Sequence, residues 1–217
     1  MSDYSTRRVM MVDTQVRPSD VTKFPIIAAM LAVPRENFVP DAQREAAYAG
    51  LNLQIGDRRV ILEARSLAKL LDFIDIQPGE RVLDLGAGLG YASAVIASLG
   101  GSVVSVEQDT ALAALARARL DVAGFDQVKV VNAQLTTGSP SDGPFDAIII
   151  QGAVESVPES ITTQVKDGGR IGAIFMDGAL GTARIGRKQD GVVSWRYAFN
   201  ATAPVLPGFE TRREFVL

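Results

Sequence analysis

The 217-residue sequence has no cysteine and no histidine. Without cysteine there is no disulfide framework, no thiolate nucleophile and no cysteine metal site. Without histidine the usual general base near neutral pH is gone, along with every Ser-His-Asp arrangement and nearly all zinc sites. Chemistry has to run on carboxylates, hydroxyls, amides, backbone groups or a cofactor, and a reaction that needs positioning more than proton transfer suits such a chain. No metal is expected. Excess charge is also scarce: 22 Lys and Arg against 25 Asp and Glu leave a net −3. A basic face for nucleic acid is therefore not expected, although Arg58 and Arg59 form a local pair. No apolar run approaches the ~20 residues of a membrane span. The stretch MSDYSTRRVMMVDTQVRP is polar and charged, unlike a secretory signal. A cytoplasmic protein without membrane contact is expected.

What is present is an ordinary globular balance, 47% hydrophobic and 22% charged residues. The length suits one large domain, or one with an extension. The pattern shifts near residue 78. We read 1–78 as an N-terminal helical extension and 79–217 as the core. In the extension, Pro25 suits the first turn of a helix PIIAAMLAV, with Ile26, Ile27, Met30 and Leu31 on one face and Pro34 ending it. A second short helix is expected from Asp41 to Tyr48. A third runs from about Ala64 to Ile74, where Leu67, Leu70, Leu71 and Ile74 recur at helical spacing.

From Arg81 strands and helices alternate. RVLDL (81–85), SVVSVE (102–107), VKVV (128–131), DAIII (146–150) and RIGAIF (170–175) read as strands. YASAVIASL and an alanine-rich helix capped by Asp109 and stopped by Gly124 lie between them. Ser156 and Glu159 have capping-box spacing. Such alternation predicts a mostly parallel sheet with helices on both faces. TARIGRK and VVSWRYAF around Gln189-Asp190-Gly191 read as a hairpin closing the sheet edge in antiparallel fashion.

The chemistry concentrates in VLDLGAGLGY, Val82 to Tyr91. A buried strand ends in Gly86, Ala87 and Gly88, and a helix begins after Gly90. Free N–H groups and a positive dipole end face the crevice past the strand's carboxyl end. The dinucleotide fingerprint G-x-G-x-x-G would need a third glycine where Tyr91 stands. Asp84 would repel a pyrophosphate and suits the ammonium of an amino-acid ligand. Glu107 ends the next strand about 20 residues on, the spacing at which a carboxylate accepts ribose hydroxyls. Together these fit S-adenosyl-L-methionine better than NAD. They imply the Rossmann-like class I methyltransferase fold. Gln108 beside Glu107 joins the cofactor set. Gln134 after the third strand is placed beside the adenine. Gln151 after the fourth is placed where methyl donor and acceptor meet. For Gln134 and Gln151, an ordinary polar loop position is the competing reading.

Around these residues the sequence resembles the protein-L-isoaspartate O-methyltransferase family. PRENFVPDAQREAAY (34–48) resembles the family's PRExFVP…AY signature, and the glycine-turn segment, VVSVEQD, PFDAIII and VKDGGRIGAIF resemble its later strands. EFVL echoes a common family ending. The resemblance implies that Gly86, Gly88 and Glu107 contact S-adenosylmethionine, with S-adenosylhomocysteine as product. It implies methyl transfer to the stray carboxylate of an isoaspartyl residue in a peptide or protein. That acceptor is already ionised and needs no histidine. One segment departs. The family loop G-x-G-Q-T-I-S-x-P lines the active site with its Thr and Ser. Here it reads GDRRVILEA, with Val60, Leu62 and Ala64 at the Thr, Ser and Pro positions. The family's adenine-side Gly-Asp-Gly is Ala133-Gln134-Leu135. Arg58 and Arg59 could take over bidentate recognition of a substrate carboxylate, or be two solvated loop arginines. No catalytic residue is assigned. A methyltransferase with another acceptor and a catalytically silent S-adenosylmethionine-binding protein stay open beside the isoaspartyl enzyme.

Overall fold

The computed structural model describes residues 3–211. The EFVL ending lies outside them. Strand segments rich in Val, Ile and Leu make the core sheet: β3 (Arg81–Leu85), β4 (Ser102–Glu107), β5 (Lys129–Asn132), β6 (Phe145–Val154), β7 (Val165–Asp177), β8 (Leu180–Gln189) and β9 (Val192–Asn200). A small antiparallel pair precedes it, β1 (Leu53–Gly56) and β2 (Arg59–Ile61). The seven-stranded order is β5-β4-β3-β6-β7-β8-β9. Pairings from β5 to β7 are parallel, and β8 and β9 add antiparallel. The expected mostly parallel sheet with an antiparallel hairpin edge is borne out. The hairpin turns at Asp190 and Gly191, both left-handed at φ 50° and 79°. A two-residue turn of that hand matches strand twist.

Six α-helices accompany the strands among the described residues: α1 (Tyr4–Met11), α2 (Phe24–Ala32), α3 (Ala64–Ile74), α4 (Tyr91–Ser98), α5 (Thr110–Val122) and α6 (Glu159–Thr162). None is long and apolar enough to cross a membrane. Side chains of β3 and β6 alternate between two cores, one on each sheet face. Val82, Ala147 and Ile149 join α2, α3 and α4 on one side; Leu83, Leu85, Ile148 and Ile150 join Phe145 and Phe209 on the other. That is how a parallel sheet covered on both faces is filled. Met11, Val12 and Val16 share the first core with Leu67 and Leu71.

The helix α3 occupies the expected residues because its apolar face is buried at Leu67, Leu70, Leu71 and Ile74. Its end is fixed by Arg170, which pairs with both carboxylate oxygens of Glu80 at 2.7 Å and donates to the carbonyls of Ile74 and Asp75.

Three local expectations are corrected. Asp41–Ala46 forms a 3₁₀ helix, not an α-helix to Tyr48. The capping box at Ser156 and Glu159 does not form: α6 starts after Pro158 with no side-chain cap. The stretch Gly56 to Ala64, read as a loop, contains β2, which pairs with β1 just before it. The alternation of Leu53 and Ile55 before Gly56-Asp57, and of Val60 and Leu62 after, was the missed signal. Arg58 makes the turn in a left-handed conformation at φ 51°.

The Asp109 cap does form, accepting from the amides of Ala111 at 2.8 Å and Leu112 at 2.9 Å. Asp109→Ala is expected to cost about 0.5–2 kcal/mol. Urea unfolding should show a lower midpoint at unchanged slope. An unchanged midpoint would mean the cap carries no stability.

Candidate functional site

The sequence places glycines where β3 gives way to α4, and the backbone uses them. Gly86, Gly88 and Gly90 are all left-handed, at φ 81°, 58° and 92°. The turn is sewn to the neighbouring strand by the amides of Gly86 and Ala87, which donate to the Val106 carbonyl at 2.8 and 3.2 Å. Glu107 follows Val106 and is fully buried. Its Oε2 accepts from the Gly88 amide at 2.8 Å and its Oε1 from the Asp109 amide at 3.1 Å. The parallel register of β3 on β4 thus brings the glycine turn and the acid together across 19 residues.

Asp84 lies two residues upstream, also fully buried. Ser93 Oγ donates to its Oδ2, Gln151 Nε2 donates to its Oδ1 at 2.8 Å, and Ser105 Oγ donates to Ser93 Oγ at 2.7 Å. Burial raises its pKa from 3.8 to about 6, against the lowering effect of those hydrogen bonds. Asp84 was expected to meet a ligand's ammonium. Here its partners are Ser93 and Gln151, so the charge is handled inside the chain. Gln151, expected near the acceptor, is turned inward by the same bond.

The unexpected occupant is Arg59. Its side chain is 5% exposed, and its guanidinium pairs with Glu107 Oε2. A Cβ built on Gly86 would lie 3.0 Å from Arg59 Nη1, so the guanidinium rests on the glycine turn. Ile55 from β1 covers Gly88, its Cδ1 2.6 Å from where a Cβ would be. Leu206 covers Gly152 in the same way at 2.6 Å. What remains is a cavity of about 10 Å³ among Val60, Ile61, Leu62, Ala87, Tyr91 and Gln151. One water needs about that much space, whereas cofactor pockets run to about 300–1,000 Å³. The donor set suits S-adenosylmethionine; the space beside it, in this conformation, does not.

The other expected residues divide. Arg58 is exposed at the hairpin turn and pairs with Glu210. The solvated-arginine reading therefore describes Arg58 and not Arg59. Arg59, expected to meet a substrate carboxylate, instead meets Glu107. Gln108 is half-buried and reaches the Leu135 amide weakly, at 3.5 Å. Gln134 is exposed. Leu62 is buried in the core.

The PRENF segment supports the site from behind. Arg35 is fully buried, donates to the carbonyls of Ala47 and Leu62 at 2.8 Å each, and lies 4.6 Å from the centre of the Tyr91 ring. Glu36 accepts from Arg8 at 3.0 Å and from Tyr48. These residues hold the foot of β2 against the start of α4.

Comparison with known proteins agrees with this architecture. The model of the family described as protein-L-isoaspartate(D-aspartate) O-methyltransferase matches residues 8–201. A protein-L-isoaspartate O-methyltransferase of Methylorubrum extorquens is 38% identical over 169 residues, 78% of this chain and 74% of the relative. One named protein-L-isoaspartate O-methyltransferase 2, from Marinobacter nauticus, is 40% identical over 169 residues, 78% of this chain and 77% of the relative. A solved protein-L-isoaspartate O-methyltransferase superposes with TM-score 0.79 at 24% identity, over 94% of this chain but 66% of that one. A Plasmodium falciparum structure, solved in complex with S-adenosyl-L-homocysteine, superposes with TM-score 0.78 at 16% identity over 95% of this chain and 99% of its own. The two structures establish the fold.

The raised pKa of Asp84 gives a pH prediction. Its protons are held more tightly folded than unfolded, so its contribution is full below about pH 4. It is lost as the pH rises through about 6. The amount is about 3 kcal/mol. Asp84→Asn should flatten the fall in stability across that window, read by denaturant titration at stepped pH. An unchanged pH profile would show that Asp84 is not the titrating group.

Proposed function

The chain belongs to the protein-L-isoaspartate O-methyltransferase family, and on that footing we propose that it is an S-adenosylmethionine-dependent methyltransferase acting on a carboxylate of a protein or peptide. The observation that carries the reading is the juxtaposition of the Gly86–Gly88 turn with the buried Glu107 carboxylate at the ends of β3 and β4. When bound, S-adenosylmethionine supplies the methyl group. The chain supplies the dipole end at the start of α4 and a carboxylate for the ribose hydroxyls, the amides of Gly86, Ala87 and Gly88 being taken by Val106 and Glu107. A carboxylate acceptor needs no general base, in keeping with a sequence without histidine. The partner in this reading is a peptide or protein, not nucleic acid, in line with the net charge of −3. The location in this reading is the cytoplasm.

A second reading concerns the acceptor. Val60 and Leu62 stand where the family loop carries hydroxyls, and both are buried. A polar acceptor group left buried and unpaired there would forfeit about 1–3 kcal/mol. This favours an acceptor other than the isoaspartyl carboxylate.

The test is transfer of labelled methyl to an isoaspartyl peptide beside its aspartyl control. The first reading expects base-labile label, as a methyl ester gives, on the isoaspartyl peptide alone. Label on neither peptide, from protein that still binds S-adenosylhomocysteine, would reject the isoaspartyl acceptor and favour the second reading.

A further inference from the structure

We propose that Arg59 is a built-in competitor of the cofactor. Its guanidinium takes the Glu107 carboxylate on which the ribose hydroxyls would sit, and S-adenosylmethionine binds only after the β1–β2 hairpin carries Arg59 out of the crevice. The proposal rests on the cofactor reading above.

Three observations carry it. The first is chemical identity of the seat. Ribose hydroxyls and the Arg59 Nη2 are donors for the same carboxylate, so the guanidinium stands where the hydroxyls would sit on Glu107. The second is space. Arg59 lies on Gly86 and Ile55 on Gly88, two of the three glycines of the turn, and both come from the same hairpin. A single movement therefore lifts Arg59 off Gly86 and Ile55 off Gly88, while Leu206 stays 3.4 Å from the Gly86 Cβ position.

The third is how poorly Arg59 is satisfied. Buried as it is, its Nε and Nη1 have no partner among the described residues. Arg170, by contrast, pairs with Glu80 through two nitrogens and donates to two carbonyls. Arg35, fully buried, leaves only Nη1 without a partner, whereas Arg59 leaves two of its three nitrogens so. Arg59 is held by one carboxylate that the proposed ligand also wants.

The hairpin is a small element, and its Leu53, Val60 and Ile61 pack in the core and must part from that core for the flap to open. Its strands are four and three residues long. Its turn, at Asp57 and Arg58, is exposed. Its outer fastenings are Arg58 to Glu210, joining side chains 44% and 41% exposed, and Gln43 Nε2 donating to the Gln54 carbonyl at 2.8 Å. Surface ion pairs like the first hold weakly. The firm anchors lie at its base. Asn52 Oδ1 accepts from the Glu63 amide at 2.9 Å, and Arg35 donates to the Leu62 carbonyl at 2.8 Å. These define the hinge.

Affinity for a ligand that needs a minor state is reduced by the fraction of molecules in that state. Isothermal titration of S-adenosylhomocysteine into the full chain, native and Arg59→Ala, reads this directly. We expect at least ten-fold tighter binding in the variant. Arg59→Gln keeps a neutral donor for Glu107, so it serves if the alanine variant does not fold. It should shift affinity in the same direction by less. Equal or weaker binding in folded variants than in the native chain would overturn the competition while leaving the cofactor reading intact. No binding in any folded form would overturn both.

Discussion

The Glu107 carboxylate sits at the end of β4 with no exposure to solvent, and the structure around it is arranged to answer that charge. A buried carboxylate has to be paired and hydrogen-bonded. Two backbone amides, of Gly88 and Asp109, are fixed in place by the turn and by the start of α5. The remaining demand is met by Arg59, 48 residues upstream. Removing one member of such a pair strands the other at a cost of about 3–5 kcal/mol. Whatever displaces Arg59 must therefore offer Glu107 comparable donors. This limits ligands to those that present paired hydroxyls or a cation.

The same constraint separates the roles of the two buried acids. Asp84 and Glu107 both lie on the β3–β4 side of the crevice. Asp84 is answered by neutral donors, Ser93 and Gln151, and burial pushes its pKa up to about 6. Glu107 is answered by a cation. The serine network therefore ties α4, β4 and β6 to β3, while the Arg59 contact ties in only a small hairpin. One is part of the frame and the other belongs to a separable piece.

Much of this was legible in the sequence because it is local. The glycine turn, the strand ending in Glu107, the Asp109 cap and the amphipathic helix from Ala64 to Ile74 all declare themselves within a dozen residues. The alternating strands and helices, and the turn at Gln189-Asp190-Gly191, carried the fold correctly to the antiparallel hairpin edge. What stayed hidden is what depends on distant pairing. No periodicity announces that Arg59 folds back onto Glu107, or that Ile55 and Leu206 fill the space over the glycines. The hairpin itself was obscured because Arg58 occupies a left-handed turn position that usually advertises itself with glycine. Helix α1 was missed for a different reason: Arg7, Arg8 and the exposed Val9 and Met10 mask its narrow buried edge at Met11.

The central claim is that the cofactor and Arg59 compete for one carboxylate. A crystal structure of the native chain with S-adenosylhomocysteine addresses it most directly. The account predicts the ribose hydroxyls on Glu107, with Arg59 and Ile55 withdrawn together and the hinge at Asn52–Glu63 and Arg35–Leu62 unbroken. S-adenosylhomocysteine bound with Arg59 still on Glu107 would contradict it.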